Sequence, residues 1–139
     1  QDRKTIEKIA MHTVMNIERE LGYEPKDVSS DNCGYDIESK VPEGNAFDEG
    51  CLRFIEVKGR TKGSSTVTVT KNEVLTSLNK PDQYILAIVE VDETEVQATY
   101  LKGSFSTIPD EASTSINYDI TLLLKNSERV LIQQRGIHR

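Results

Sequence analysis

The chain has 139 residues, 36% of them hydrophobic and 29% charged, which fits one domain with one modest core. A net charge of −6 argues against a free-standing protein that grips nucleic acid by charge alone, because phosphate neutralisation supplies most non-specific affinity. No run of about 18 apolar residues and no signal-peptide pattern is present, so neither a membrane span nor secretion is expected.

Residues 2–21 read as a helix. Ile6, Ala10, Thr13, Val14, Ile17 and Leu21 form one apolar stripe at helical spacing. Asp2 is its expected N-cap and Gly22 its C-terminal stop. Glu7 and Glu18 border the stripe on one flank, and Glu20 borders it on the other. Residues 22–32 read as a connection, with Tyr23 and Val28 starting a short extended piece.

A strand is expected from Tyr35 to Val41, carrying Asp36. Residues 42–50 are rich in turn formers, so the strand that follows is expected to return antiparallel. In that second strand, Arg53-Phe54-Ile55-Glu56-Val57-Lys58-Gly59, successive side chains point to opposite faces. Ile55 and Val57 face one way, while Glu56 and Lys58 face the other. If Val41 meets Leu52 across the loop, Asp36 falls level with Glu56 or Lys58. Two carboxylates and one ammonium then share a sheet face.

Lys62-Gly63-Ser64-Ser65 signals a tight turn, and Thr66-Val67-Thr68-Val69 reads as a third strand. Residues 70–79 read as a helix opened by a capping box of Thr70 and Glu73. A competing reading of the same stretch sets Lys71 or Asn72 against a phosphate at the helix N-terminus. Gln83 to Val91 is almost continuously apolar, as in a strand covered on both faces. Asp92-Glu93-Thr94 is a turn, and Glu95 to Leu101 a return strand. Residues 102–112 read as a loop, and 113–125 as an extended piece followed by a short helix. One domain over 1–125 is expected, with 126–139 as a polar, peripheral tail.

The two cysteines, Cys33 and Cys51, fall at opposite ends of the proposed strand pair. That is too far for a disulfide, whose Cα atoms lie within about 7 Å. Free thiols suit a reducing, cytoplasmic setting. His12 and His138 are the only histidines and no Cys-x-x-Cys occurs, so a zinc site is not expected.

An acid on one strand and Glu-x-Lys on the next resembles the PD-(D/E)xK nuclease motif. Asp36, Glu56 and Lys58 are the expected catalytic residues. Two hard carboxylates suit Mg²⁺, which Mn²⁺ can replace, and a bound cation polarises a phosphate. The lysine would steady charge on that phosphate or orient water. Glu-x-Lys alone is common as a weak ion pair on an exposed strand, so the wider sequence carries the weight. Asp27-Val28-Ser29, residues 34–39, 53–60, 68–73, 84–89 and 114–119 together resemble the NO VEIN C-terminal-like domain, over roughly residues 5–124. The resemblance implies an α/β protein with a restriction-endonuclease-like αβββαβ core, a mixed sheet flanked by helices. It also implies a place at the C-terminal end of Swi/Snf-type helicases or translocases, some in anti-phage systems. The start at Gln1, not Met, suits a piece of such a polypeptide.

Tyr35 stands where the nuclease motif has its eponymous proline. Nucleases of this kind often add a glutamate from the first helix to the metal, and Glu18 is the first choice here, then Glu7. Arg53, Lys58, Arg60, Lys62 and Lys71 cluster near the motif, so Arg60, Lys62, Lys71 and Asn72 are candidate DNA contacts. The expectation is a metal-dependent DNA endonuclease domain. The alternative is a non-catalytic module of the same fold that binds nucleic acid or docks partners.

Overall fold

The computed structural model describes residues 2–42 and 51–137. The expected turn-rich loop, beyond Pro42, and His138 lie outside the described residues. The element order is α1 (Arg3–Glu20), β1 (Glu24–Asp27), a single 3₁₀ turn (Ser29–Asp31), β2 (Ile37–Lys40), β3 (Leu52–Thr61) and β4 (Thr66–Thr70). Then come α2 (Lys71–Asn79), β5 (Tyr84–Val91), β6 (Glu95–Lys102), β7 (Ser115–Asp119), α3 (Ile120–Asn126) and β8 (Glu128–Gly136). Six strands form one sheet in the order β1-β2-β3-β5-β6-β8, and β4 pairs with β7 in a second. Among the described residues only β3 and β5 run parallel; the other pairs are antiparallel. The described residues are thus α/β, with a mixed sheet and three α-helices.

Sequence periodicity explains the layers. The α1 stripe of Ile6, Ala10, Val14 and Ile17 buries on one sheet face, against Ile37, Ile55, Ile85, Ala87 and Val89. Alternate residues of β5 and β6, Leu86, Ile88 and Leu101, point to the other face. There they meet Val67 and Val69 of β4, Val74 of α2, and Ile120 and Leu123 of α3. Asp2 caps α1 by accepting from the Thr5 N–H at 2.8 Å. The capping box of α2 is complete: Thr70 Oγ1 accepts from Glu73 N at 3.2 Å, and Glu73 Oε1 accepts from Thr70 N at 2.9 Å.

Three elements differ from the sequence reading. Residues 24–27, expected as part of a connection, form β1 on β2. Pro25 is tolerated because β1 is an edge. The third strand does not continue the β2–β3 meander. It leaves the sheet and pairs with β7, since Val67 and Val69 bury over Leu86 and Ile88 while Thr66, Thr68 and Thr70 stay exposed. The expected tail 126–139 is also corrected: β8 pairs along β6. Its sequence reads as polar because an edge strand with exposed alternate positions needs few apolar residues. Leu131 alone packs from it onto the α1-side core, followed by Ile137 just beyond. No helix among the described residues is long and apolar enough to cross a membrane.

Gly59 sets how closely α1 crosses β3. A Cβ there would stand 2.8 Å from the Ala10 Cβ and 3.1 Å from the Ile6 carbonyl oxygen. Gly59→Ala therefore forces α1 off the strand, and such overpacking costs about 1–3 kcal/mol. A fall in urea midpoint of that size checks it; an unchanged midpoint would show that the crossing is slack.

Candidate functional site

The site forms where β2 and β3 part. Their pairing covers Ile37 to Lys40 against Ile55 to Leu52, so Asp36 stands opposite Glu56. Beyond that point β3 runs on to Thr61 with β5 on one side only. Asp36 finishes the ladder with its side chain: Oδ2 accepts the Val57 N–H at 2.9 Å, and its own N–H donates to the Ile55 carbonyl at 2.9 Å. The freed edge opens a cleft of about 350 Å³, lined by Asp36, Glu56, Lys58, Gly59 and Arg60. Its walls also include Arg3 and Glu7 of α1, Ser29, and Val67 and Thr68 of β4.

The turn leading to Asp36 is held from below. Tyr84, buried on β5, donates its hydroxyl to the Gly34 carbonyl at 3.1 Å. Gly34 adopts φ +90°, and any Cβ on it would strike the Thr76 side chain of α2. This close seat fixes Asp36 relative to α2.

Glu56 and Lys58 share the sheet face turned away from α1, as their spacing requires. The Lys58 ammonium lies 3.1 Å from Glu56 Oε2 and 2.9 Å from Glu73 Oε1. Burial pushes the Glu56 carboxyl up to about 9; Lys58 opposes this, while the Asp36 and Glu73 carboxylates reinforce it. Burial likewise raises Asp36, against the hydrogen bonds it accepts from Val57 and shares with Glu56. Burial works against the charge of Lys58, but Glu56 and Glu73 more than offset it and hold the ammonium above its usual value. The pair Asp36–Glu56 is thus short of positive charge when only Lys58 serves it.

A pH dependence follows. Glu56 holds its proton more tightly folded than unfolded, so its contribution to stability is present below about 4.5 and lost as pH rises through about 9. Without added metal, the melting temperature should fall across that window, and Glu56→Gln should flatten the fall. A wild-type profile as flat as the variant's would contradict the assignment.

Asp36, Glu56 and Lys58 come together as expected, with Arg60 beside them. Arg60 Nε is buried and finds no partner among the described residues. Asn72 borders the same acids from the start of α2. Lys62 lies at the far end of β3, exposed and 3.8 Å from Asp92. Lys71 points away toward the Glu111 carbonyl at 3.4 Å. These two do not line the cleft.

Glu18 is the main correction. It is wholly buried, and its carboxylate takes Arg53 Nε at 3.0 Å, Arg53 Nη2 at 3.2 Å and the Tyr100 hydroxyl at 2.9 Å. Those partners lie on the α1 side of the sheet, opposite Glu56. Glu7 shares the helix flank but stands eleven residues earlier, on the order of 16 Å along the axis. The crossing at Gly59 brings that end of α1 over the cleft, so Glu7, paired with Arg3 at 3.3 Å, borders the site. Glu20 binds Arg135 of β8 and is not near it. Glu73 was missed as a site residue, because its capping-box role already accounted for it in sequence. Its position just after the third strand, at the N-terminus of the crossover helix, was the available signal.

The family model described as Protein NO VEIN, C-terminal, matches residues 6–101. The chain belongs to this family. The NO VEIN C-terminal match spans α1 through β6 and so contains Asp36, Glu56, Lys58 and Glu73. The stretch holding β7, α3 and β8 lies beyond the NO VEIN C-terminal match. No curated protein and no solved structure matches the chain.

The donor set suits a hard divalent cation. Glu56 offers a buried carboxylate and Asp36 a half-buried one, and the ionised form of each is disfavoured until positive charge arrives. Among the described residues no group of three or more His, Cys, Asp or Glu is placed to hold a metal. A cation held by these two acids would keep several waters, as Mg²⁺ commonly does.

Proposed function

We propose that the chain is a metal-dependent DNA endonuclease domain of the PD-(D/E)xK class, with a restriction-endonuclease-like core. The observation that carries this reading is Asp36 set opposite Glu56 at the open edge of β3, with Lys58 next on the same face. Asp36 and Glu56 would hold Mg²⁺ or Mn²⁺, which when bound polarises the phosphate and acidifies water. Lys58 supplies positive charge toward the phosphate oxygens, where it counts most as negative charge builds in the transition state. Arg60, whose buried Nε has no partner among the described residues, and the exposed Asn72 flank the cleft as phosphate or sugar contacts.

The acidic chain, at −6, is poorly suited to capturing DNA unaided. We therefore place it as an appendage of a helicase or translocase in a restriction or anti-phage system, with DNA delivered by that region. Incubation of the purified domain with supercoiled plasmid and labelled oligonucleotides, with Mg²⁺, Mn²⁺ or chelator, tests the reading. The expected result is slow, metal-dependent cutting at low salt that Asp36→Asn abolishes. Cutting that survives Asp36→Asn, or that proceeds equally in chelator, would refute it.

A further inference from the structure

Lys58 is bracketed by two carboxylates with different duties. Glu56 faces Asp36 across the split in the sheet, whereas Glu73 comes from α2 and lines the cleft beside those two acids. Glu73 Oε1 takes both the Lys58 ammonium and the Thr70 N–H, each at 2.9 Å. The Thr70 hydroxyl in turn holds the Glu73 N–H at 3.2 Å. The capping box therefore fixes this carboxylate on a helix terminus, where it cannot follow Lys58 outward. Lys58 Nζ sits 3.1 Å from Glu56 Oε2 on its other side. An ammonium and a cation compete for the same Glu56 oxygens, since both are neutralised by the one carboxylate.

We propose that Glu73 is a positioning residue: anchored by its capping box, it takes a share of the Lys58 ammonium, so that Lys58 competes less strongly for the Glu56 carboxylate that a divalent cation needs. The inference rests on the metal reading above and goes beyond it, by giving a helix cap a part in metal affinity. Without Glu73, Lys58 keeps Glu56 as its remaining salt-bridge partner among the described residues, and its charge bears undivided on the oxygens the cation needs. Partners that orient a ligand in this way typically change metal affinity about 10–100-fold.

Three variants of the domain, titrated calorimetrically with Mn²⁺, separate this from a simple loss of helix stability. Glu73→Gln keeps a capping-box side chain but removes its charge, and Mn²⁺ affinity should fall about 10–100-fold. Glu73→Gln combined with Lys58→Met removes the competitor as well, and affinity should return to within a few-fold of wild type. Thr70→Ala loosens the cap while leaving the Thr70 N–H and Lys58 on the Glu73 carboxylate, and affinity should hold even as thermal stability drops. Equal affinity in Glu73→Gln and wild type would overturn the inference and leave the metal site standing. A loss in Glu73→Gln that Lys58→Met does not restore, matched by Thr70→Ala, would also overturn it, by showing that the cap alone matters. Failure of the wild type to bind Mn²⁺ would remove the metal reading and this inference together.

Discussion

Lys58→Met is expected to lower the rate of DNA cleavage by about 10²–10³-fold while Mn²⁺ binding persists. Removing one charge that steadies the transition state typically costs that much. A protonated lysine has no lone pair to give a metal, so its loss removes no ligand. It removes instead a competitor 3.1 Å from Glu56 Oε2, so cation affinity should equal or exceed that of wild type. DNA affinity should fall only slightly, with the salt slope changing by about one unit, as for the loss of one phosphate contact. Methionine keeps the length of the stem and fills the space beside Glu73. On the proposed reading of the chain as part of a defence helicase, the same variant in the full-length protein should abolish defence against phage. A binding module would show a different pattern: weaker DNA association and no separate kinetic defect. Full defence activity with Lys58→Met would count decisively against hydrolysis as the working function.

The second large effect concerns Glu18, which supports the fold and not the site. Arg53 lies in a buried fork between Glu18 and the rings of Tyr23 and Tyr100, its guanidinium 5.0 and 5.8 Å from their centroids. Glu18→Ala would strand that guanidinium with 13% of its side chain exposed, and would leave the Tyr100 hydroxyl without its acceptor. Breaking a buried pair from one side costs about 3–5 kcal/mol. Urea unfolding should show a loss of that order. Folded Glu18→Ala should still bind Mn²⁺ as wild type does, because Glu18 and Glu56 stand on opposite faces of the sheet. A stable Glu18→Ala protein that had lost Mn²⁺ binding would return Glu18 to the metal site.

Features governed by local periodicity are legible in the sequence. The α1 stripe, the alternation through Ile55-Glu56-Val57-Lys58 and the apolar run of β5 each follow from one element's own geometry. The Asp36–Glu56 register was readable to within two residues, because the flanking alternation limits slippage. Other features depend on partners distant in sequence. That β4 leaves the main sheet is decided by β7, nearly fifty residues later, which pairs Thr68 with Asn117. The burial of Glu18 is decided by Arg53 and Tyr100. Helical phase placed Glu7 and Glu18 on one flank but could not tell which turn crosses β3; Gly59 decides that, through its contact with Ala10. Glu73 was read as a cap, and it is one. Its second bond, to Lys58, spans the turn after β3 and the whole of β4, so only its place at the start of the helix hinted at it.

Calorimetric titration of the domain with Mn²⁺, wild type against Asp36→Ala/Glu56→Ala, tests the metal site at the centre of this account most directly. The wild type should show saturable binding with one cation per chain, accompanied by proton release at neutral pH as Glu56 gives up its proton, and the double variant should show none. Indistinguishable titrations of the two proteins would contradict the assignment of Asp36 and Glu56 as the cation site.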